Sequence, residues 1–209
     1  MKTFAFVDAS NLFYGGEKNL GWKIDYKKLL HYLKEKYGVS HVLYFGGVEI
    51  YDFDFDYLQN ETVPVKELEK YLMSVIKNIG SRLNEAELLL IGRHLQRVRF
   101  YIKLDEFGYN LYLKPVKLYD QDDGTTKRKA NCDVDMAFYL MKEKDNFERA
   151  VILSGDGDFL PVLKYLRNTG KEIIVLARGA RTAGEIKKFA GGNFRDFVRL
   201  ESRIKFERK

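Results

Sequence analysis

Residues 150–177 constrain the fold more than any other stretch, because they pass from a short apolar run to a helical pattern and back to an apolar run. Residues 150–153 read as a buried strand. Residues 158–167 read as a helix, in which Pro161 is tolerated because the first helical turn has no amide bond to lose. Gly170 ends that helix, and residues 172–177 return to strand. Repeated β-α units of this kind build an α/β fold with a mostly parallel sheet covered by helices on both faces. Ligands of such sheets bind at the carboxyl ends of the strands.

Residues 3–7 are another compact β-type run, followed by Asp8, Asn11 and then Gly15 and Gly16, which mark a turn. Asp25 is placed to cap a helix over residues 26–37, with Leu29, Leu30 and Leu33 on one face, lysines on the other and Gly38 as the stop. Residues 41–48 read as a buried strand. Residues 51–57 alternate acid with aromatic, a pattern open to a second metal site or an exposed recognition ribbon, but more simply a half-buried edge segment with solvated acids. Between Pro64 and Glu106 the apolar spacing predicts two helices, the second over 82–103, as an antiparallel pair with Arg93, Arg97, Arg99 and Lys103 on a basic face. Residues 109–119 alternate like a strand, residues 120–129 read as a polar mobile loop, and residues 134–144 form a helix that begins at or beside Asp133.

At 209 residues the chain suits one domain, with room for a sub-domain. A hydrophobic content of 45% with only three prolines argues against long disordered linkers. The net charge of +6 favours a polyanionic partner, although a solvated Lys- and Glu-rich surface accounts for it equally well. A single cysteine, Cys132, excludes an internal disulfide and a Cys-based zinc site, which fits a reducing compartment. The first apolar run stops at Asp8, too early for a signal segment, and none approaches the roughly 20 residues of a membrane span. The expectation is a cytoplasmic protein that avoids membranes. His31, His41 and His94 lie far in sequence from the acidic pieces and read as surface or packing residues.

Five acids stand where strands end or a helix begins: Asp8, Asp133, Asp135, Asp156 and Asp158. Two carboxylates about 4 Å apart repel by roughly 1 kcal/mol in water and about 4 kcal/mol at an effective dielectric near 20, so gathering them calls for a cation. Oxygen ligands without a Cys/His set select Mg²⁺ or Mn²⁺, and the usual work of such a site is displacement at phosphorus. Asp8 and Asp156 would anchor the ion and Asp133 complete its site. Asp133 and Asp135 can share an ion only if they straddle the helix N-terminus, because residues i and i+2 of a helix point about 200° apart. Plain alternatives stand beside these roles. A lone Asp at a strand end is commonly a turn residue, and Asp158 is equally placed to cap a helix beginning at Phe159, worth about 1 kcal/mol. Asn11 could orient Asp8 or hold a phosphate oxygen, Ser154 could bond the backbone or the pocket carboxylates, and Gly155 with Gly157 would allow a tight turn.

Three pieces taken together, Phe6 through Asn11, Lys129 through Asp135 and Ile152 through Pro161, resemble the NYN domain family, in its LabA-like or DUF88 branch, relatives of the PIN-domain nucleases. The likeness spans most of residues 1–200, with a basic tail over 201–209. It implies a PIN-like α/β/α sandwich with a mostly parallel central sheet and a metal-dependent ribonuclease site. It carries Asp8, Asn11, Asp133, Asp156 and Asp158 over as the acidic pocket, with Asp135 as an additional ligand. The chain departs from the family pattern at Tyr139, where many members have a further acid, and in residues 64–106, whose length looks like a helical insertion for substrate selection or self-association.

On this reading a cation-activated water attacks the phosphodiester of single-stranded or structured RNA in an endonucleolytic cut, with DNA as substrate and a homodimer left open. Lys127, Arg128 and Lys129, and Arg178 and Arg181 after the last core strand, are candidates to hold the substrate backbone; solvated charge is the plain alternative for each. The main rival is a catalytically weak or inactive NYN-like module that binds RNA or a protein, which Tyr139 favours. A haloacid-dehalogenase-type phosphatase is disfavoured because Ser10 stands where a second Asp is needed. A sugar-nucleotide transferase built on Asp133 and Asp135 would leave Asp8 and Asp156 unused.

Overall fold

The computed structural model describes residues 1–12, 20–120 and 126–207, with the side chains of 79, 81, 118–120 and 126–129 outside that description. β1 (Thr3–Asp8) is buried along its whole length, as a strand with neighbours on both edges and layers on both faces must be. α1 (Tyr26–Tyr37) begins where the Asp25 carboxylate accepts from Lys28 N, and stops at Gly38, whose φ of 64° is cheap only for glycine. β2 (Val39–Val48) follows. The expected turn at Gly15 and Gly16 lies outside the described residues.

Two helices occupy the stretch after Pro64: α2 (Val65–Ile79) and α3 (Glu85–Phe107). α3 starts later than the apolar spacing implies because Gly80–Arg82 forms a separate 3-10 turn and Asn84 with Glu87 closes a capping box. Then come β3 (Asn110–Pro115), β4 (Lys117–Asp120) and β5 (Thr126–Lys129). β4 and β5 pair antiparallel, Lys117 opposite Lys129, so part of the stretch expected to be a polar loop is strand. A backbone ladder is indifferent to side-chain polarity, which is why composition misled there. Residues 51–57 also depart from expectation: they form a turn and irregular backbone, with Tyr51 at φ 54°, rather than an edge strand.

The remainder alternates helix and strand: α4 (Asp133–Lys142), β6 (Arg149–Leu153), α5 (Leu160–Asn168), β7 (Glu172–Ala177), α6 (Gly184–Ala190), β8 (Phe194–Asp196) and α7 (Glu201–Ile204). The strand order is β3-β2-β1-β6-β7-β8, and the pairs β1·β2, β1·β6, β6·β7 and β7·β8 are parallel, as the β-α alternation requires. The register sets Phe6 opposite both Leu43 and Ile152. Arg149 faces Glu172 across β6 and β7, with a 2.8 Å ion pair that fastens the start of both strands.

The chain forms two compact units, residues 1–45 with 132–209, and residues 46–131. In the first, the Phe147 ring meets those of Phe4 and Phe6 at centroid distances of 5.7 and 5.6 Å, and burial of each such side chain contributes roughly 1.5–3 kcal/mol. The C-terminal residues return to this unit: Phe206 N donates to Lys23 O, and Ile204 is fully buried. In the second, α2 buries Leu68 and Leu72 and α3 buries Ile91 and Val98, while Arg99 pairs with Glu69 at 2.9 Å; Arg93 and Arg97 are exposed. Among the described residues no helix is long and apolar enough to cross a membrane.

Candidate active site

β1 is the point where the sheet changes direction: the chain builds outward from it to β2 and β3 on one side and to β6, β7 and β8 on the other. Such a reversal opens a crevice beyond the carboxyl ends of the two strands that flank it. Asp8 is the last residue of β1, and Ser154 to Asp158 follow the end of β6, so both acidic pieces arrive at this crevice.

Asp8 is 4% exposed, and its charge is met by three neutral donors. Oδ1 accepts from Ser10 Oγ at 2.7 Å and from Asn11 N at 3.0 Å, and Oδ2 accepts from Ser154 Oγ at 2.9 Å. Ser154 is 2% exposed and also accepts from Asp156 N at 3.2 Å. One hydroxyl therefore joins the carboxylate of β1 to the backbone of the next acid. The Asn11 side chain adds a second stitch, its Oδ1 accepting from Gly155 N at 3.1 Å. Asn11 thus acts on Asp8 through its backbone and on the β6 loop through its side chain.

The cap after β6 differs from the expected one. Asp156, not Asp158, caps the 3-10 turn Gly157–Phe159 by accepting from Asp158 N at 3.0 Å, and α5 starts only at Leu160, with Pro161 in its first turn. Asp158 is exposed and Asp156 half-buried. Gly155 and Gly157 are required by close approach rather than by left-handed backbone. A Cβ on Gly155 would stand 2.5 Å from Thr182 Oγ1 and 2.9 Å from Thr182 Cα, and one on Gly157 would stand 2.5 Å from Glu185 Oε1. The segment after β7 therefore folds over the β6 loop, and Ala183 N donates to Gly155 O at 2.9 Å. A recess of about 500 Å³ opens here, lined among others by Asn11, Asp156, Gly157, Arg181 and Thr182. Ser10, Thr182 and Glu185 escaped sequence reasoning; the glycine pair signalled that something approaches, but not what.

Asp133 and Asp135 both lie inside α4, each half-buried, and the residue before them, Cys132, is already near helical dihedrals at φ −97° and ψ −3°. The pair does not straddle the helix start, so the condition for both to face one ion is not met. α4 packs against β1 and the turn after β6. Tyr139 is buried, its ring 5.7 Å from that of Phe45, and serves the core. Arg181 is exposed on the rim of the recess, and Arg178 is half-buried directly after β7. The side chains of Lys127, Arg128 and Lys129 lie outside the described residues.

Whether these residues suit a divalent cation turns on two observations. The donors are all hard oxygens, and Asp8 and Asp156 are joined through Ser154 with further oxygen lone pairs to offer, which fits Mg²⁺ or Mn²⁺ in kind. Among the described residues, however, no three acidic, His or Cys side chains stand close enough together to hold an ion as placed.

The NYN domain pattern matches residues 2–197. The chain belongs to the NYN domain family. Domains of this family are generally nucleases. This NYN chain is 21% identical over 184 residues to the low amplitude and bright protein LabA of Synechococcus elongatus, covering 87% of this chain and 76% of that one. Its fold resembles the crystal structure of VPA0982, a protein of unknown function from Vibrio parahaemolyticus, with a TM-score of 0.58 and 16% identity over 92% of this chain and 90% of that one. The likeness in fold bears out the α/β reading of the sequence.

Proposed function

We propose that this NYN domain is a metal-dependent ribonuclease that cuts within single-stranded or structured RNA. The observation that carries the reading is the Asp8–Ser154–Asp156 chain of hydrogen bonds at the point where the sheet reverses. Asp8 and Asp156 would hold a Mg²⁺ or Mn²⁺ ion, with Asp133 beside them and Asp135 and Asp158 as further acids. When bound, the cation eases deprotonation of water and offsets charge on the leaving oxygen. The chain's own part is positioning. Ser154, Ser10 and Asn11 N orient the Asp8 carboxylate, the Asn11 amide fixes the β6 loop against β1, and Arg181, exposed on the rim of the recess, would meet the phosphates of a strand entering it.

A second reading is a non-cleaving NYN module that binds RNA or a protein. It is favoured by the buried Tyr139 and by the absence, among the described residues, of a three-member metal-holding group. Cleavage of a panel of single-stranded, structured and duplex RNA, with DNA as control, in Mn²⁺, Mg²⁺ or EDTA separates the two. Metal-dependent cutting by the wild type, lost in Asp156→Asn, supports the enzyme; equal inertness of both proteins while RNA still binds establishes the module. The variant retains the Oδ1 that caps the Gly157–Phe159 turn, so it should stay folded and lose stability by no more than about 0.5 kcal/mol.

A further inference from the structure

α4 turns one side to the core and another, apolar side to solvent. Met136, Tyr139 and Leu140 are buried, while Val134 is 67% and Phe138 56% exposed, and Met141 is half-buried. Val134, Phe138 and Met141 are spaced by four and then three residues, so they form one stripe along the helix, away from the buried set. Single exposed apolar residues are ordinary on a protein surface, but a stripe at this spacing has the form of a helix-pairing seam. Tyr165, on the neighbouring α5, widens the patch: it is 46% exposed and stands near Lys144, just beyond the end of α4.

The charges beside the stripe select its occupant. Asp135 and Lys142 lie seven residues apart, so they take the same place beside the seam one heptad on, with the acid at the start of the helix and the base at its end. Lys142 is exposed, and its Nζ lies 5.7 Å from the centre of the Phe138 ring and 4.8 Å from that of Tyr139, which holds the ammonium against the stripe. A second α4 laid antiparallel on the first, about a two-fold axis near Phe138, brings each chain's Asp135 opposite the other's Lys142 and each Val134 opposite a Met141. Parallel pairing would instead set acid against acid and base against base. A nucleic acid is disfavoured here, because Asp133 and Asp135 at the start of the stripe repel phosphates.

We propose that α4 is the face on which a second copy of this chain docks, as an antiparallel two-fold helix pair centred on Phe138. The inference does not depend on the nuclease reading, although it bears on the same site. α4 leads into β6 and so runs against the strands, which puts its first turn at the carboxyl edge of the sheet, where Asp8 and Asp156 stand. A lysine of each copy would thus reach the rim of the other's acidic crevice. The 10 residues of α4 span only about 15 Å, so the interface is small and the dimer weak and reversible, with a dissociation constant on the order of 10 µM.

Sedimentation of the full chain from about 1 to about 300 µM reads the association directly. The wild type should move from 24.5 kDa toward twice that mass, less readily at high salt. Phe138→Glu should weaken association more than about tenfold, and Lys142→Glu about tenfold, since it exchanges two attractions for two repulsions. Leu89→Glu, at an exposed position on α3, should change it less than about twofold.

A wild type that stays monomeric throughout overturns the proposal, as does a dimer that Phe138→Glu leaves intact. Dissociation by Leu89→Glu in place of Phe138→Glu moves the interface to the helices of residues 64–106 and overturns it too. A dimer broken by Phe138→Glu but indifferent to Lys142→Glu overturns the antiparallel order. Should Phe138→Glu lose its helical circular dichroism, Val134→Glu decides in its place. Failure of the nuclease reading looks different, because a chain that pairs through α4 yet never cuts in metal sinks the enzyme alone.

Discussion

Removing the Ser154 hydroxyl tests the central link of the site. In Ser154→Ala two bonds disappear, the 2.9 Å donation to Asp8 Oδ2 and the 3.2 Å acceptance from Asp156 N, in surroundings where Asp8 is 4% exposed. A hydrogen bond to a charged group contributes roughly 1.5–3 kcal/mol and a neutral one about 1 kcal/mol. Asp8 keeps its two donors on Oδ1, which limits the damage. The expected loss is about 2–3 kcal/mol, which for a urea slope near 2 kcal/mol/M moves the midpoint down by about 1–1.5 M with the slope unchanged. The single tryptophan, Trp22, is buried in the same unit as the site, so its fluorescence reports unfolding of that unit. A double-mutant cycle with Asp8→Asn should return a coupling of about 1 kcal/mol, because the amide retains an acceptor oxygen but loses the charge. A loss below about 0.5 kcal/mol with no coupling would refute the argument that Ser154 holds Asp8.

Two further substitutions test the packing claims. Gly155→Ala drives a methyl group into Thr182 Oγ1 and backbone, and should cost about 1–3 kcal/mol by the same fluorescence assay. Gly157→Ala meets the carboxylate of exposed Glu185, which can swing aside, and should cost less than about 1 kcal/mol; equal costs would contradict the distinction between backbone and flexible obstruction. Asn84→Ala removes one half of the α3 capping box and should destabilise the unit spanning residues 46–131 by about 1 kcal/mol, read from the helical circular dichroism melt, whereas an unchanged melt would mean that the cap is not used.

What the sequence determined about this chain is whatever depends on neighbours a few residues away. α1 runs from its Asp25 cap to Gly38, and β7 occupies residues 172–177, because periodicity, a side-chain cap and a left-handed glycine act within one or two turns of chain. The alternation of β6, α5 and β7 likewise made a parallel sheet legible, and with it the end of the sheet at which a site would lie. Tertiary structure decided the rest. Asp156 rather than Asp158 became the cap because the chain enters a 3-10 turn before α5, and the two glycines answer to Thr182 and Glu185, residues that arrive only when β7 pairs with β6. Ser154 became the link between two acids because the register of β1 on β6 sets Val7 opposite Leu153, which brings the residues that follow each strand together. The two arginines after β7 are of the same kind. Spacing along the chain shows that they follow a strand, but only the packed neighbours make Arg178 half-buried and leave Arg181 exposed on the rim of the recess.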